Sequence, residues 1–212
     1  MELLWQDEAL VVCLKPPGVI SEAGEKEPNM PALIAAQCGR EPITVHRLDK
    51  ETAGIMVYAF TKASAAALSE QIRAGEFKKE YLAVCSGTWD APAGEMRDYL
   101  YHDPQKNKSF LVKKERPGVK EALLDYTVLE ENKGMSLVRV KLHTGRTHQI
   151  RVQFAGRKHP LYGDRKYGGP GGQTALFACS LSFVHPVTGE KTVWQASPPS
   201  GFPWSLFGGK TE

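Results

Sequence analysis

The sequence has few of the features that mark exported or membrane proteins. Its apolar run Ala9–Leu14 is far shorter than the ~18 residues that a membrane span needs. The opening MELLWQDEAL holds three acids and no base, unlike a signal peptide. Of the 212 residues, 42% are hydrophobic and 24% are charged, which is ordinary for one folded domain. We therefore predict a cytoplasmic protein without membrane contact.

Cysteine pairs and nucleotide-binding loops are also missing. The four cysteines lie far apart, with no CxxC spacing, which predicts buried thiols in a reducing compartment. The sequence has no GxxxxGK[ST], GxGxxG or GxSxG motif. The acidic and histidine side chains do not have the spacing of a compact metal site. No metal, nucleotide or other cofactor is expected.

Positive charge is concentrated in two stretches, although the net charge is only +3. Residues 105–120 hold six bases against one acid, and residues 139–167 hold eight bases against one acid. Glycines and aromatic residues are interleaved with these bases. Such a pattern is typical of a surface that binds a polyanion, although scattered lysines on a solvated face would give the same count.

Hydrophobic periodicity predicts an α+β protein with a mostly antiparallel mixed sheet and flanking helices. Capping signals delimit two helices, because Asn29 and Thr61 can cap their first turns and Gly39 and Gly75 can end them. Short apolar or alternating runs predict the strands. The predicted helices are Met30–Cys38 and Lys62–Ala74, and the predicted strands are Ala9–Leu14, Ala53–Phe60, Tyr81–Cys85, Ala122–Leu129, Leu137–Leu142, Ala175–Val184 and Thr192–Gln195.

Two further segments are open to interpretation. Thr144 can cap a third helix that extends through Phe154. The segment Gly87–Pro117 is rich in turn formers and bases, which favours a long excursion that could close over a ligand. The alternative is a β-hairpin packed back on the core, with its lysines in water.

The densest group of reactive side chains is His46-Arg47-Leu48-Asp49-Lys50. Nearby cations favour an ionised Asp49, and an ionised carboxylate on a loop can act as a nucleophile or a base. A surface ion pair with a turn-forming aspartate would give the same pattern.

A second polar group, Thr144-Gly145-Arg146-Thr147-His148-Gln149-Ile150-Arg151, lies at the predicted helix start. Helix N-termini favour anions, and arginine pairs well with phosphate or carboxylate. Arg146 and Arg151 fall on the borders of the apolar stripe. The alternative is a basic solvated helix.

These segments together resemble the RluA family of RNA pseudouridine synthases. The resemblance covers nearly the whole chain in order, and it rests on five segments. These are LLWQDEALVVCLKPPGVI (3–20), HRLDKETAGIMVYAFTK (46–62), FKKEYLAV (77–84), LHTGRTHQIRVQFAGRKHPLYGDRKYGG (142–169) and LSFVHPVTGE (181–190). The sequence departs from the family pattern at Ala53, Gln153 and Phe177.

The resemblance implies a pseudouridine synthase fold with a central active-site cleft. It also implies a single catalytic domain over residues 1–212, without the S4-type domain that some members carry. The implied reaction detaches a uracil base from its sugar, rotates it and rejoins it through carbon. Asp49 matches the essential aspartate, Tyr81 the tyrosine that stacks on the target base, and Arg151 the arginine that pairs with the aspartate. Asp49 would either attack the anomeric carbon or remove a sugar proton.

The expected partner is ribosomal or transfer RNA, bound by a monomer. Arg47 matches a residue that enters the RNA stack when the target base is flipped out. Arg146 and Gln149 are candidates for phosphate or sugar contacts, and the first basic stretch adds Lys113, Lys114 and Arg116. The main rival is a non-catalytic RNA-binding or ribosome-associated protein of the same fold. An RNA-cleaving hydrolase is a third class.

Overall fold

The computed structural model describes residues 1–24 and 27–208. By its internal contacts the chain divides into two compact units. The first comprises Met1–Lys79 and Phe177–Ala196, and the second comprises Glu80–Leu176 and the described part of Ser197–Glu212. The single domain expected over residues 1–212 stays a prediction.

The first unit is a sheet with two helices. Its strands pair in the order β1-β2-β4-β10-β11, and β3 pairs with β4. The pairing of β4 with β10 is parallel and the others are antiparallel. The elements are β1 (Glu2–Gln6), β2 (Leu10–Lys15), α1 (Met30–Cys38), β3 (Ile43–Thr44), β4 (Ala53–Ala59), α2 (Lys62–Ala74), β10 (Leu176–Val184) and β11 (Lys191–Gln195).

Capping fixes both helices of the first unit at their predicted bounds. The Asn29 side chain accepts a hydrogen bond from the Ala32 amide, and Thr61 accepts one from the Ser64 amide. Gly39 and Gly75 end α1 and α2 in the left-handed conformation, which glycine adopts without steric cost. Both helix predictions are confirmed.

The core of the first unit lies against the sheet. Apolar side chains of β2, β4, α2 and β10 form one buried cluster, with Phe77 at the end of the unit's first segment. Its buried members are Leu10, Val12, Ile55, Val57, Ala59, Leu68, Phe77, Leu181 and Phe183. This burial holds the loop before β4 on a rigid base.

The second unit is built on long strands in the order β5-β9-β8-β6-β7. Strand β7 pairs with β6, β6 with β8 and β8 with β9, each in antiparallel orientation. The elements are β5 (Lys78–Ser86), which enters the unit at Glu80, β6 (Ala93–Asp103), β7 (Lys108–Val112), β8 (Val119–Asn132), β9 (Met135–Leu142) and α3 (Gln149–Gly156). Short 3-10 helices lie at Arg165–Tyr167 and Trp204–Leu206.

The Gly87–Pro117 segment forms a hairpin in this sheet, as the alternative interpretation has it, and its closure over a ligand stays a prediction. Strand β6 pairs with β8 from Ala93 to Tyr101, and β7 pairs back on β6. Leu111 of β7 packs against Leu100, Ala122 and Val152. Backbone pairing and this apolar contact commit the segment to the sheet, with only short loops left over.

Candidate active site

Asp49 lies half-buried in the loop between β3 and β4 of the first unit. The Thr52 amide donates to the Asp49 carbonyl oxygen at 3.0 Å, which closes a turn just before β4. The preceding residue, Leu48, is 7% exposed and anchors the loop in the core. The local fold therefore fixes the backbone that carries the carboxylate.

Ser21 clamps this loop from a segment far away in the sequence. Its hydroxyl donates to the Leu48 carbonyl oxygen at 2.8 Å and accepts from the Leu48 amide at 3.0 Å. The Tyr58 hydroxyl in turn donates to the Ser21 carbonyl oxygen at 2.9 Å. Ser21 and Tyr58 are both buried, so these bonds are shielded from water. The HRLD motif does not reveal this clamp, because Ser21 lies 27 residues away from Leu48 in the sequence.

Lys15 ties the Lys15–Gly18 turn to the same loop. Its ammonium donates to the carbonyl oxygens of Pro16, Val19 and Lys50 at 2.9, 2.7 and 2.9 Å, and its side chain is buried. Burial lowers the pKa of Lys15 to about 8, whereas the carboxylates of Glu51 and Asp49 favour its charged form. Lys15 is thus a cation in the electrostatic surroundings of Asp49.

The cations on either side of Asp49 are exposed and paired with acids. Arg47 lies 3.0 Å from a Glu22 carboxylate oxygen, and Lys50 lies 2.9 Å from Glu27. Both pairs are half-exposed, so each contributes little to stability and can be exchanged for another anion. Arg47 can therefore exchange Glu22 for another anion at modest cost.

His46 has a structural environment. The imidazole is 8% exposed, its Nε2 accepts from the Val57 amide at 3.1 Å, and its ring packs 5.2 Å from Phe77. Burial, with a smaller contribution from the Lys79 ammonium, lowers the pKa of His46 to about 3. A neutral histidine that accepts this backbone bond ties the loop before β4 to the strand at Val57.

Arg151 lies on α3 in the second unit and is 5% exposed. Its Nε and Nη2 atoms donate to the two carboxylate oxygens of Asp164 at 2.7 and 2.8 Å. The guanidinium carbon also lies 5.3 Å from the centre of the Tyr167 ring. The predicted pairing of Arg151 with Asp49 stays a prediction, and the sequence did not indicate Asp164 as a partner, although Arg151 and Asp164 both lie in the 142–169 block.

Tyr81 also belongs to the second unit, where it lies near the start of β5 and is 5% exposed. The residues that follow it, Leu82–Cys85, are buried as a continuous apolar run. A strand that is buried on both faces holds its side chains rigidly. The structure therefore places Asp49 in one unit and Tyr81 and Arg151 in the other.

The predicted helix start at Thr144 is wrong, because α3 begins only at Gln149. His148 adopts the left-handed conformation, with φ 56°, just before it. The Gln149 side-chain oxygen accepts from the Thr144 hydroxyl at 2.8 Å and from the Arg146 amide at 3.0 Å. Its amide nitrogen donates to the Leu123 carbonyl oxygen at 3.1 Å. These bonds hold residues 144–146 as a turn on β8.

This arrangement gives different roles to Gln149 and Arg146, the two residues expected to contact RNA in the turn. Gln149 is 3% exposed, and its amide group is used within the protein. Arg146 is half-buried and donates through Nε to the Glu121 carbonyl oxygen at 2.8 Å. The geometry favours a positioning role for Gln149 and leaves Arg146 at the surface.

The remaining predicted RNA-binding residues follow β7. Lys113, Lys114 and Arg116 are exposed in the loop between β7 and β8. The Arg116 guanidinium lies 5.6 Å from the centre of the Tyr101 ring, which orients it at the surface. Gln153, where the sequence departs from the family pattern, is fully buried and donates to Asp98 at 2.7 Å.

The described part of the chain also contains thiols and other side chains of the types that can ligate a metal. Within residues 1–24 and 27–208, no group of three or more His, Cys, Asp or Glu side chains could hold a metal ion. Burial raises the pKa of the Cys13 and Cys85 thiols to about 12, so neither is a ready nucleophile. No helix in the described part of the chain is long and apolar enough to cross a membrane.

Comparison with known proteins identifies the family. The family model described as RNA pseudouridylate synthase matches residues 9–156, which include Asp49, Tyr81 and Arg151. The chain belongs to the RNA pseudouridylate synthase family. The resemblance to RluA-type synthases is confirmed, and with it the assignment of the chain as an isomerase acting on RNA.

Relatives and solved structures extend this match beyond the family model. An uncharacterized RNA pseudouridine synthase of Aquifex aeolicus is 34% identical, over 95% of this chain and 71% of the relative. The ribosomal large subunit pseudouridine synthase D of Haemophilus influenzae is 32% identical, over 95% of this chain and 68% of the relative. The chain thus spans about two thirds of these synthases.

The fold is confirmed by a solved structure. The human RNA pseudouridylate synthase domain containing 4 superposes with a TM-score of 0.77 at 25% identity, covering 93% of this chain and 88% of that one. The predicted α+β class and pseudouridine synthase fold are therefore correct. The mostly antiparallel pairing seen in each unit agrees with that class.

Proposed function

We propose that this synthase converts uridine to pseudouridine in large-subunit ribosomal RNA in the cytoplasm, with Asp49 as the reacting carboxylate. One observation carries the proposal: the HRLD loop that bears Asp49 is fixed by buried contacts on both sides, as a reacting group requires. The name of the Haemophilus influenzae relative supports the choice of RNA.

The reaction breaks the bond between C1′ of the sugar and N1 of uracil, then forms a bond between C1′ and C5. The proton on C5 passes to solvent, and one returns to N1. Asp49 acts either by attacking C1′ or by removing a sugar proton, and both routes require its ionised form. The buried Lys15 ammonium lies in the electrostatic surroundings of this carboxylate, which favours the charged form of Lys15.

Tyr81 and Arg151 complete the proposed catalytic group. We assign Tyr81 to stack on the target base, since aromatic rings bind flipped bases by stacking. We assign Arg151 to hold the reacting carboxylate ionised, as the family resemblance implies. Their rigid settings on β5 and α3 support these roles, because both side chains are nearly buried.

The RNA strand is held by cations of both units in this proposal. Arg47 of the first unit exchanges Glu22 for RNA when the base leaves the stack. In the second unit, Arg146 and the loop residues Lys113, Lys114 and Arg116 contact phosphates. Gln149 keeps Arg146 in place instead of contacting RNA itself.

The ends of the two basic stretches also converge in the second unit. The Lys166 ammonium donates to the Asn107 carbonyl oxygen at 2.8 Å, and the Lys108 ammonium lies 5.1 Å from the centre of the Tyr167 ring. We name the exposed or half-exposed cations gathered here the turn cluster, and assign it to the RNA backbone. The turn cluster consists of Lys106, Lys108, Arg165 and Lys166.

The test is to map pseudouridine in large-subunit ribosomal and transfer RNA from cells with and without the gene. The proposal expects at least one large-subunit position to lose its pseudouridine and to regain it with the wild-type gene but not with Asp49→Asn. Loss confined to transfer RNA would reject the assigned RNA. Restoration by Asp49→Asn would favour the non-catalytic RNA-binding alternative.

A further inference from the structure

Asp164 is a buried carboxylate that no step of the proposed reaction uses. It is 1% exposed and forms a two-bond ion pair with Arg151, through the Nε–Nη2 edge of the guanidinium. An arginine side chain has several rotatable bonds, and a two-bond carboxylate fixes both the position and the plane of its head group. The Nη1 side of Arg151 is consequently directed away from Asp164.

The loop around Asp164 is shaped to hold this carboxylate. The Asp164 amide donates to the Leu161 carbonyl oxygen at 3.1 Å, and the Gly169 amide donates to the Asp164 carbonyl oxygen at 2.8 Å. A Cβ atom at Gly163 would lie 2.0 Å from the Gln173 carbonyl oxygen, and one at Gly169 would lie 1.9 Å from that of Leu161. Only glycine lets the chain close this tightly, so the direction of the Asp164 side chain is set by the backbone.

Tyr167 supports the other side of the pair. Its ring lies 5.3 Å from the guanidinium carbon of Arg151, and its hydroxyl lies 3.0 Å from Nδ1 of His148. The Ser109 amide donates to the same hydroxyl at 2.8 Å. The ring is therefore anchored independently of Arg151, and the guanidinium is held by a carboxylate and an aromatic face.

We propose that Asp164 is a positioning residue of the synthase, which acts by fixing the guanidinium of Arg151 in the geometry used for catalysis. The proposal rests on the proposed role of Arg151. It differs from a purely structural ion pair, because loss of Asp164 will slow the chemical step in a protein that still folds and still binds RNA.

The test is a double-mutant cycle of Asp164→Asn and Arg151→Met, with single-turnover rates measured at saturating ribosomal RNA fragment. Asp164→Asn keeps the size of the side chain but replaces an acceptor oxygen with a donor. We expect its rate to fall about 10- to 100-fold, as is usual when a partner that orients an active-site group is removed. RNA affinity should stay within about threefold, because no RNA contact is lost. The double variant should be no slower than Arg151→Met alone.

The matched control is Asp98→Asn. Asp98 pairs with Arg157, which follows the same helix, at 2.9 Å. This variant also removes a carboxylate from an arginine pair in the second unit, and its single-turnover rate should match that of the wild type. Melting temperatures of all variants report how much each pair contributes to folding.

An Asp164→Asn variant as active as an active wild type would overturn the proposal. The proposal would also be overturned if the rate of the double variant fell by the product of the two single-variant losses, because Asp164 would then act independently of Arg151. A wild type without activity on any RNA would instead reject the proposed function. Should Asp164→Asn fail to fold, Asp164→Glu keeps the charge and shifts the guanidinium, and it must still lower the rate without weakening RNA binding. A wild-type rate in a folded Asp164→Glu protein would then contradict the proposal.

Discussion

At the scale of single residues, the reacting loop depends on contacts that a sequence motif does not contain. Ser21 bonds both the amide and the carbonyl group of Leu48, directly before Asp49. These bonds join positions 27 residues apart. The HRLD motif points to Asp49 because its chemistry is local, whereas Ser21, Lys15 and Asp164 become visible only when the chain is folded.

Ser21→Ala should slow the reaction and weaken the fold together. Two buried backbone groups of Leu48 lose their partner, which costs about 1–3 kcal/mol each at most. We expect a lower single-turnover rate, because the loop carrying Asp49 gains freedom, with RNA affinity unchanged. Ser69→Ala is the control, since Ser69 bonds only the Ala65 carbonyl oxygen within α2. Equal rates for the two variants would show that the clamp does not position Asp49.

His46 makes stability depend on pH. Burial lowers the pKa of His46 to about 3, whereas the unfolded chain binds the proton near pH 6.5. Above pH 6.5 the histidine is neutral in both states and its contribution is fully present. Between pH 6.5 and 3 only the unfolded chain takes up the proton, so the free energy of unfolding falls by up to about 1.4 kcal/mol per pH unit.

Urea unfolding at several pH values measures this slope. His46→Asn should flatten the fall, whereas His143→Asn should keep it, because His143 is a half-exposed partner of Asp125. If the free energy of unfolding of His46→Asn falls with decreasing pH as steeply as that of the wild type, the acid sensitivity belongs to other groups.

At the scale of elements, the sequence predicts the bounds of those helices that are determined by local interactions. The bounds of α1 and α2 follow from a capping side chain and a glycine, both readable in the sequence. The start of α3 does not, because Thr144 bonds the Leu123 amide and Gln149 instead of a helix turn. Local composition does not predict strands β6 and β7 either, because the pairing of β6 with β8 and of β7 with β6 outweighs the turn-forming residues.

Gln149→Ala tests the turn before α3. The change removes bonds to Thr144, Arg146 and Leu123, so we expect the unfolding free energy to fall by about 1–3 kcal/mol. The salt dependence of RNA binding should lose at most the one contact made by Arg146. The unfolding free energy and the salt dependence of RNA binding together show whether Gln149 positions the turn or contacts RNA. A Gln149→Ala variant that is as stable as the wild type but binds RNA more weakly would show that Gln149 contacts RNA directly.

At the scale of the whole molecule, the two basic stretches seen in the sequence do not form one continuous patch. Arg151 is buried against Asp164, and Arg157 pairs with Asp98, so part of the second stretch is used within the protein. Its last two cations, Arg165 and Lys166, meet Lys106 and Lys108 at the start of the first stretch in the turn cluster. Charge counts alone predicted a polyanion partner but could not separate these roles.

Neutralising these cations should reduce the salt dependence of RNA binding. The two test variants change the loop residues Lys113, Lys114 and Arg116, or the turn-cluster residues Lys106, Arg165 and Lys166, to alanine. Each lost phosphate contact lowers the slope of log affinity against log salt by roughly 0.7 for single strands. The control changes Lys62, Lys78 and Lys191, three exposed cations of the first unit. If a test variant has the same slope of log affinity against log salt as the control, the cations changed in that variant do not contact the RNA.

The most direct test of the account is release of tritium from ribosomal RNA labelled at C5 of uridine, because forming the new carbon–carbon bond expels that hydrogen. The wild type should release tritium, and Asp49→Asn should release none while binding RNA within about threefold of the wild type. Glu51→Gln, which removes a charge two residues away, should remain active. Tritium release by Asp49→Asn at the wild-type rate would contradict the assignment of Asp49 as the reacting carboxylate.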